Sequence, residues 1–447
     1  MTVTGRGSAS RIAGALLRTA YGLFARAVTP ALPLLYRRRV ARGKEDPARR
    51  GERFGRASLS RPEGPLVWLH AASVGEMNAA DALIAPLLAR GVTVLLTTGT
   101  LTSARIAAKR ARAGVIHQFV PYDTPAGIGR FLDHWRPGLA LTVESEIWPT
   151  TILELDRRRI PLAIVSATLS DRSARGWARV RPFAMELFSR MTLCLAQTDA
   201  DADRMRALGA PRVHVTGNLK FDAPPPDCDR DELERLSALI GARPVWLAAS
   251  THDGEEEIVA EVHVTLAARL PGLITLLAPR HPERGDGIAG MLRARGIALA
   301  QRSRGEDPTE DTGIYLADTI GEMGLFLRLA PVAFIGKSLV PEGGQNPLEA
   351  ARLDTAILSG PHVFNLEDLY APLIADGGVE IVADAPLLAD ALADLLGDPQ
   401  ARAAQARAAR KVAARGSGAL ASTLEALAPL LPPAPASDAP GCTEDAP

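Results

Sequence analysis

Acidic side chains follow two apolar segments in the first half of the chain. The apolar residues 66–70 are followed by the sequence AASVGE, which ends at Glu76. The apolar residues 139–143 are followed by Glu144 and Glu146. Ligands of open α/β sheets bind at the carboxyl ends of strands, so these positions suit chemistry. A carboxylate held there can accept the proton of a substrate hydroxyl as a general base.

The segment around Glu76 also has a structural interpretation. Ser73 and Glu76 have the S-x-x-E spacing of a capping box, and the residues that follow have helical spacing. Gly75 would let a substrate approach the backbone, with Glu76 facing the crevice. We expect Ser73 and Gly75 to help bind substrate, but from the residues alone capping and catalysis both remain open for Glu76.

Two further groups belong to this possible site. Alternate residues of an extended segment point the same way, so Glu144 and Glu146 would face one cleft, unless they only cap the next helix. Lys220 comes just before a proline run at residues 224–226. It is therefore expected near an interdomain groove, although a solvated lysine is the simpler alternative.

The second half contains groups that suit an anionic nucleotide. An arginine can hold a phosphate with two hydrogen bonds, and a helix start offers free N–H groups to the same charge. The sequence GGQNPLE at residues 343–349 predicts such a start, with Asn346 as the N-cap and Pro347 in the first turn. The other candidate segments are residues 279–284, which follow one predicted strand, and residues 319–323, which precede a helix. A purely structural helix start remains the alternative.

Two other motifs resemble ligand sites but are not interpreted as such. Gly336 and Lys337 are reminiscent of a P-loop, but Pro331 occupies a position where that motif requires glycine. Asp199, Asp201 and Asp203 have the Asp-x-Asp spacing that holds a divalent cation in some glycosyltransferases. Here they are expected to open a helix whose dipole they offset, so we expect neither a metal nor a cofactor.

The elements that must position these residues alternate along the chain. Short apolar runs separated by amphipathic stretches are typical of strand-helix units around a parallel sheet. The predicted strands are residues 66–70, 92–97, 139–143, 162–166, 193–197, 213–216, 245–249, 273–278, 314–316, 332–335, 356–359 and 380–382. Because a proline run interrupts helices and central strands, residues 223–235 are interpreted as a linker. An α/β protein with Rossmann-like halves at residues 51–222 and 236–428 is predicted.

The ends of the chain have a different composition. Residues 12–35 are mostly apolar but contain Arg18 and Arg26, and nine basic residues follow by residue 56. An arginine at the bilayer centre costs about 3 kcal/mol, so residues 1–50 are predicted to lie on an anionic membrane surface rather than span it. A soluble helix packed on its own domain is the alternative. Residues 429–447 are predicted to be a disordered tail.

Composition excludes several classes of protein. The 447 residues contain 51 basic and 51 acidic side chains, so no overall field would attract nucleic acid. Cys194, Cys228 and Cys442 are an odd number without ligand-like spacing, which argues against a disulfide framework and a zinc site. A reducing cytoplasm fits best.

Several segments, in order along the chain, resemble motifs of the 3-deoxy-D-manno-octulosonic acid (Kdo) transferases. They are residues 70–76, 97–100, 121–123, 144–149, 217–222, 250–255, 278–284, 343–349 and 360–365. The resemblance covers about residues 35 to 424, and the ordered set is specific where one motif alone would be weak. It implies a GT-B glycosyltransferase, with two Rossmann-like domains facing each other across a cleft.

The resemblance also implies roles for residues. The position of Glu76 is the family's proton acceptor, and those of Glu144 and Lys220 have transition-state roles. The family's CMP contacts map onto nine positions, namely Pro279, Arg280, Gly321, Glu322, Met323, Asn346, Pro347, Leu348 and Glu349. The implied reaction is inverting transfer of Kdo from CMP-Kdo to a lipid A precursor, at the cytoplasmic face of the inner membrane.

This chain departs from the family pattern at three places. The family commonly has histidine where this chain has Gln345, glycine where it has Lys337 and arginine where it has Thr168.

Two alternative functions remain: a GT-B transferase with a UDP-sugar donor, and an inactive nucleotide-binding membrane adaptor. The presence of Glu76, Glu144 and Lys220 together argues against the adaptor.

Overall fold

The computed structural model describes residues 4–222 and 224–432, with residues 4–11 described by their backbone alone. The chain divides into two compact units, Met1–Ala223 with Ser417–Pro447, and Pro224–Gly416. Each unit is built on one parallel sheet of seven strands. The predicted α/β architecture with two similar halves is confirmed.

The sheet of the first unit has the strand order β3-β2-β1-β4-β5-β6-β7. Its strands are β1 Leu66–Ala71, β2 Thr93–Thr98, β3 Val115–Phe119, β4 Leu139–Val143, β5 Leu162–Ala167, β6 Leu193–Ala196 and β7 Val213–Val215. Val67 and Leu69 belong to one core cluster, whereas Leu66 and Trp68 belong to another. Both faces of the sheet are therefore covered, which is why its strands are apolar runs rather than alternating ones.

Helices cover this sheet and form the amino-terminal segment. They are α1 Thr4–Val28, α2 Leu32–Ala41, α3 Arg50–Arg53, α4 Val74–Leu88, α5 Leu101–Lys109, α6 Pro125–Trp135, α7 Pro149–Arg157, α8 Asp171–Arg179, α9 Arg181–Phe188 and α10 Asp199–Ala207. Thr100, Thr124 and Thr198 each cap the following helix with their hydroxyl oxygen.

The second unit repeats the arrangement with the strand order β10-β11-β9-β8-β12-β13-β14. Its helices are α11 Arg230–Ile240, α12 Glu255–Ala267, α13 Gly285–Ala294, α14 Met323–Leu329, α15 Leu348–Ala351, α16 Glu367–Ala375, α17 Ala385–Gly397 and α18 Pro399–Arg415. Its strands are β8 Val245–Thr251, β9 Ile274–Pro279, β10 Leu299–Gln301, β11 Ile314–Leu316, β12 Val332–Ile335, β13 Ala356–Ser359 and β14 Val379–Ile381. Trp246, Leu277 and Phe334 anchor its core.

Two predicted domain limits need correction. Helix α19, Ala419–Leu427, returns to the first unit, where Leu427 and Leu431 join the core around β1. Asp222 holds this segment by accepting the N–H groups of Gly418 at 2.7 Å and Leu420 at 2.6 Å. The second unit therefore ends at about residue 416 rather than 428. Helix α11 also begins inside the predicted linker.

The predicted boundary at residue 50 also fails, because residues 32–53 pack into the first unit. Leu32 and Tyr36 are buried. The buried Arg53 pairs with Glu45 at 2.8 Å and donates to the carbonyl oxygen of Gly99. None of the helices in the described residues combines the length and apolar character needed to cross a bilayer.

Candidate active site

Glu76 lies in the first turn of α4, directly beyond the carboxyl end of β1. The Ser73 hydroxyl accepts the N–H of Glu76 at 3.3 Å, so Ser73 is the N-cap of the helix. The same hydroxyl donates to Oε1 of Glu76 at 3.0 Å. Oε2 accepts the N–H of Ala72 at 2.7 Å. Capping by Ser73 is thus confirmed, but the carboxylate bonds to Ala72 and not to the N-cap's own N–H as in a full capping box.

Glu144 and Lys220 are in direct contact. Oε1 of Glu144 lies 2.5 Å from Nζ of Lys220. Lys220 belongs to a 3-10 turn after β7, where the N–H of Leu219 donates to the Ser166 hydroxyl at 3.3 Å. Elements far apart in sequence thus bring two of the predicted catalytic residues together.

Glu146 is held by two aromatic side chains. Its Oε2 accepts the indole N–H of Trp148 at 2.5 Å and lies 3.5 Å from Nε2 of His70. His70 is fully buried near the end of β1, and its Nδ1 lies 2.9 Å from the hydroxyl of Thr97. The carboxylate of Glu146 is therefore fixed in place.

The loop after β4 is a turn and not the extended segment that the sequence predicted. Glu144 has a φ of 60°. The N–H of Ile147 donates to the carbonyl oxygen of Ser145 at 2.9 Å. The alternation argument for Glu144 and Glu146 was therefore wrong, although both carboxylates do lie close enough to Glu76 to affect its pKa.

Burial and the carboxylates of Glu146 and Glu144 make Glu76 more basic. Burial is the main cause of its raised pKa, and the negative charges of Glu146 and Glu144 raise it further. Burial alone would also raise the pKa of Glu146, but the bonds and charge from His70 and the bond from Trp148 lower it overall. A raised pKa moves Glu76 toward the range in which a general base works near neutral pH.

These groups meet at the point where the strand order of the first sheet reverses. β1 is flanked by β2 on one side and β4 on the other. Glu76 follows β1, and Glu144 follows β4. Ligands of doubly wound sheets bind at such a switch point. Apart from the adjoining residues and the backbone of its own helix, a Cβ atom at Gly75 would have one described atom within 4 Å, the Ser73 hydroxyl at 3.9 Å, so open space adjoins the site.

The second sheet reverses its order between β8 and β12. Glu255, which is fully buried at the start of α12, holds the loops that follow these two strands. Its carboxylate accepts the N–H groups of His252 at 2.9 Å, Lys337 at 2.6 Å, Ser338 at 2.9 Å and Leu339 at 3.0 Å. The carboxylate of Glu255 therefore stabilises the two loops.

Basic side chains surround His252, which lies in the loop after β8. The rings of His252 and His281 are in edge contact, with centroids 5.4 Å apart. Nε2 of Gln345 lies 3.3 Å from Nε2 of His252. Burial is the main cause that lowers the pKa of His252 to about 4, and the charges of Lys337, His281, Arg280 and Arg284 lower it further.

The predicted nucleotide contacts fall into separate groups. Arg280, directly after Pro279, belongs to the basic group around His252. Glu322, between Gly321 and Met323, instead pairs with Arg302, whose bond is the main cause of its lowered pKa. The described contacts do not join these two groups.

The third group surrounds the start of α15. The side chain of Asn346 accepts the N–H of Leu348 at 3.0 Å, but the N-cap of the helix is Pro347 and not Asn346 as predicted. Helix α15 has only four residues and begins at Leu348, so Pro347 precedes it. The side chains of Pro347 and Leu348 are buried, and Glu349 is half-buried beside them.

The Asp-x-Asp motif begins a helix. Oδ1 of the buried Asp201 accepts the N–H of Leu169 at 2.8 Å, and its Oδ2 accepts the hydroxyl of Thr198 at 2.6 Å. Asp203 pairs with Arg206. Within residues 4–222 and 224–432, no three His, Cys, Asp or Glu side chains are grouped so that they could hold a metal.

Sequence reasoning gave no role to His70, His252 or His281, which the structure brings to the two switch points. The available signal was position, because each histidine lies at or just beyond the end of a predicted strand. The contact between His252 and His281 joins segments about thirty residues apart and could not be read from either motif.

The chain is similar to known proteins over most of its length. The family model described as 3-deoxy-D-manno-octulosonic-acid transferase (kdotransferase) matches residues 48–223. The enzyme of that name from Haemophilus influenzae is 35% identical over 384 residues, which cover 85% of this chain and 90% of that one. The one from Bordetella pertussis is 37% identical over 425 residues, 92% of this chain and 98% of that one. A glycosyltransferase structure from Rickettsia africae ESF-5 has a TM-score of 0.51 at 12% identity and covers 83% of this chain and 99% of that chain.

Two parallel seven-stranded sheets and this structural likeness show the GT-B fold class. Similarity to known enzymes over most of the chain identifies the family within this fold class. The chain belongs to the 3-deoxy-D-manno-octulosonic acid transferase family. The resemblance inferred from the ordered motifs is confirmed.

Proposed function

We propose that this chain transfers Kdo from CMP-Kdo to a hydroxyl of a lipid A precursor in lipopolysaccharide synthesis, with inversion at the anomeric carbon. The observation that carries the proposal is the convergence of Glu76 with the Glu144–Lys220 pair at the β1–β4 switch point, in a chain of this family.

Glu76 is the proposed general base. As the acceptor oxygen forms its bond to the anomeric carbon, the bond from that carbon to the phosphate oxygen breaks. The proton of the hydroxyl passes to Glu76, and the electron pair leaves with CMP. Its raised pKa supports this role, because a base is most effective when its pKa lies near the working pH.

Lys220 is proposed to offset negative charge that develops in the transition state. Its partner Glu144 fixes the position of the ammonium group, and the 3-10 turn fixes its backbone. A preorganised charge costs no reorganisation at the moment of reaction, which makes it effective in stabilising a transition state.

The nucleotide is proposed to bind to the second unit. The proposed contacts are Pro279, Arg280, Gly321, Glu322, Met323, Asn346, Pro347, Leu348 and Glu349. Support comes from the basic group at the carboxyl end of the second sheet, which includes Arg280. Because Leu348 and Pro347 are buried, their contribution would come from the backbone. No metal or cofactor is part of the proposed reaction.

The enzyme is further proposed to work at the anionic cytoplasmic face of the inner membrane, with α1 against the lipid. Ile12, Leu16 and Leu23 lie on one face of this helix and are 60%, 66% and 59% exposed. The opposite face packs on the protein, because Arg18 pairs with Glu186 at 2.8 Å and the Tyr21 hydroxyl donates to Asp123 at 3.2 Å. Helix α1 therefore attaches to the first unit and leaves an apolar face outward.

The basic stretch contributes less charge than its sequence suggests. Of its nine basic residues, Arg39 and Arg53 pair with Glu45, and Arg49 pairs with Glu52. Nine less three leaves six to meet lipid headgroups, namely Arg37, Arg38, Arg42, Lys44, Arg50 and Arg56, and these six are exposed. Each such residue beside an anionic surface is worth up to about 1 kcal/mol.

Incubation of the purified chain with CMP-Kdo and a lipid A precursor tests the proposal. We expect the lipid to gain the mass of one or more Kdo units and CMP to inhibit the reaction. Inhibition by UDP but not by CMP, or turnover of a UDP-sugar instead, would contradict it. Binding of CMP without any transfer would favour the adaptor.

A further inference from the structure

Two cations of the second unit, Arg280 and Lys337, have no acidic partner among the described residues. Arg284 in the same region pairs with Asp253 and Glu256. Neither Arg280 nor Lys337 forms an ion pair within the part of the chain that the structure describes. Both residues are only partly exposed. Positive charge that no nearby acid balances favours a bound anion.

Lys337 occupies a backbone position that suits glycine. Its φ is 63°, in the left-handed region that a lysine rarely adopts. The conformation is fixed by its N–H, which donates to Glu255, and by its carbonyl oxygen, which accepts the N–H of Gly344 at 2.7 Å. A side chain kept at a strained position of a ligand-binding edge points to a function for that side chain.

Four N–H groups of these loops are not available to an anion. Glu255 already accepts the N–H groups of His252, Lys337, Ser338 and Leu339. An anion at the β8–β12 switch point would therefore have to be held by other groups, among them the side chains. His252 and His281, whose rings are in contact, lie near the two cations, and Nδ1 of His281 lies 3.6 Å from Oε1 of Glu283.

We propose that Lys337, with His252 and His281, forms a subsite for an acidic group of the donor substrate. The inference rests on the proposed function, because it assumes an anionic sugar nucleotide on the second unit. The shared chemistry is that of a phosphate or a carboxylate oxygen accepting hydrogen bonds from a cationic side chain. The lowered pKa of His252 agrees, since it reflects burial and the surrounding positive charge.

Three substitutions of Lys337 separate charge from backbone strain. Lys337→Gly removes both, Lys337→Met removes the charge alone, and Lys337→Arg keeps both. We expect the Gly and Met variants to weaken binding by about tenfold, the scale of one lost charged hydrogen bond, and the Arg variant to stay within about threefold of wild type. Calorimetric titration of the full chain with CMP and the KM for CMP-Kdo are the measurements.

The two ligands distinguish the two possible anions. A raised Kd for CMP places the phosphate on Lys337. An unchanged Kd for CMP with a raised KM for CMP-Kdo places the sugar carboxylate there. The matched control is Asp354→Gly, which relieves a φ of 57° elsewhere in the second unit and should leave both constants unchanged.

If Lys337→Gly has the wild-type Kd for CMP and the wild-type KM for CMP-Kdo, the proposed subsite is wrong. Transfer by the wild-type chain would then still support the proposed function. If the wild-type chain itself neither binds CMP nor uses CMP-Kdo, the proposed function fails and the subsite fails with it.

Discussion

At the scale of single residues, the environment gives neighbouring carboxyl groups opposite properties. Glu76 has a raised pKa through burial and two nearby negative charges. Glu146 has a lowered pKa, because its bonds to His70 and Trp148 outweigh the effect of burial. Pairs of acids whose environments separate their pKa values are typical of sites in which one group moves a proton and the other stays ionised.

The first prediction concerns Glu146→Gln. Removal of this negative charge should lower the pKa of Glu76, and because a base must be ionised, activity should persist to lower pH. The acid limb of a kcat/KM profile should therefore shift to lower pH than in wild type. Glu63→Gln, at an exposed position of the same unit, is the control. An unshifted limb would show that Glu146 does not act on the ionisation that governs the rate.

The composition of this site was predictable, but its contacts were not. Glu76 and Glu144 were found because they follow apolar runs, and Lys220 because it precedes the proline run. The resemblance to the family supplied their roles. The pairing of Glu144 with Lys220 depends on the order of β4, β5, β6 and β7 in the sheet. The positive φ of Glu144 depends on the turn that follows β4. Neither property is encoded by a local pattern.

At the scale of elements, the strands that the sequence did not reveal lie at sheet edges. β3 and β10 each end one of the two strand orders. β3 contains His117 and Gln118, and β10 has only three residues, so neither forms an apolar run. The central strands were predicted because burial on both faces makes them continuously apolar.

The packing of helix α19 on the first unit could not be predicted from the sequence either, because its apolar residues could pack on either unit. A chain ending after Gly416 should lose the burial of Leu427 and Leu431, which at about 1.5–3 kcal/mol each is a loss of about 3–6 kcal/mol in the free energy of unfolding of the first unit. Denaturant unfolding measures it. A chain ending after residue 432 keeps these contacts and is the control. Equal stability of the two chains would mean that α19 is not part of this core.

At the scale of the whole molecule, membrane binding and catalysis are proposed to use different surfaces. Replacement of Leu16, Leu23 and Phe24 of α1 by glutamine should leave folding intact, because these side chains are exposed. Binding to anionic vesicles should weaken by at least about tenfold through the lost apolar burial, without loss of turnover on a short-chain acceptor.

The same substitutions at Val264 and Leu387, exposed in the second unit, are the control and should not affect vesicle binding. Raising the salt concentration should weaken only the electrostatic part of the binding. Vesicle binding unchanged by the α1 substitutions would contradict the proposed surface. A truncation near residue 51 is unsuitable for this test, because it would leave the buried Arg53 without Glu45.

Transfer is also predicted to be independent of divalent metal. Asp201 is committed to Leu169 and Thr198, and Asp203 pairs with Arg206, so the motif that most resembles a metal site has other partners. Turnover should therefore survive exhaustive treatment with a chelator. Loss of activity that magnesium or manganese restores would contradict this prediction.

The central claim is that Glu76, at the β1–β4 switch point, removes the proton of the acceptor hydroxyl during Kdo transfer. Glu76→Gln is nearly isosteric and lies in the first unit, so the melting temperature should not fall and the affinity for CMP should match wild type. The rate of mass gain by a lipid A precursor incubated with CMP-Kdo should fall by about 100-fold to 10,000-fold, the usual contribution of a general base. A variant that keeps more than about a tenth of the wild-type rate would contradict the account, because a base at this position would then contribute almost nothing.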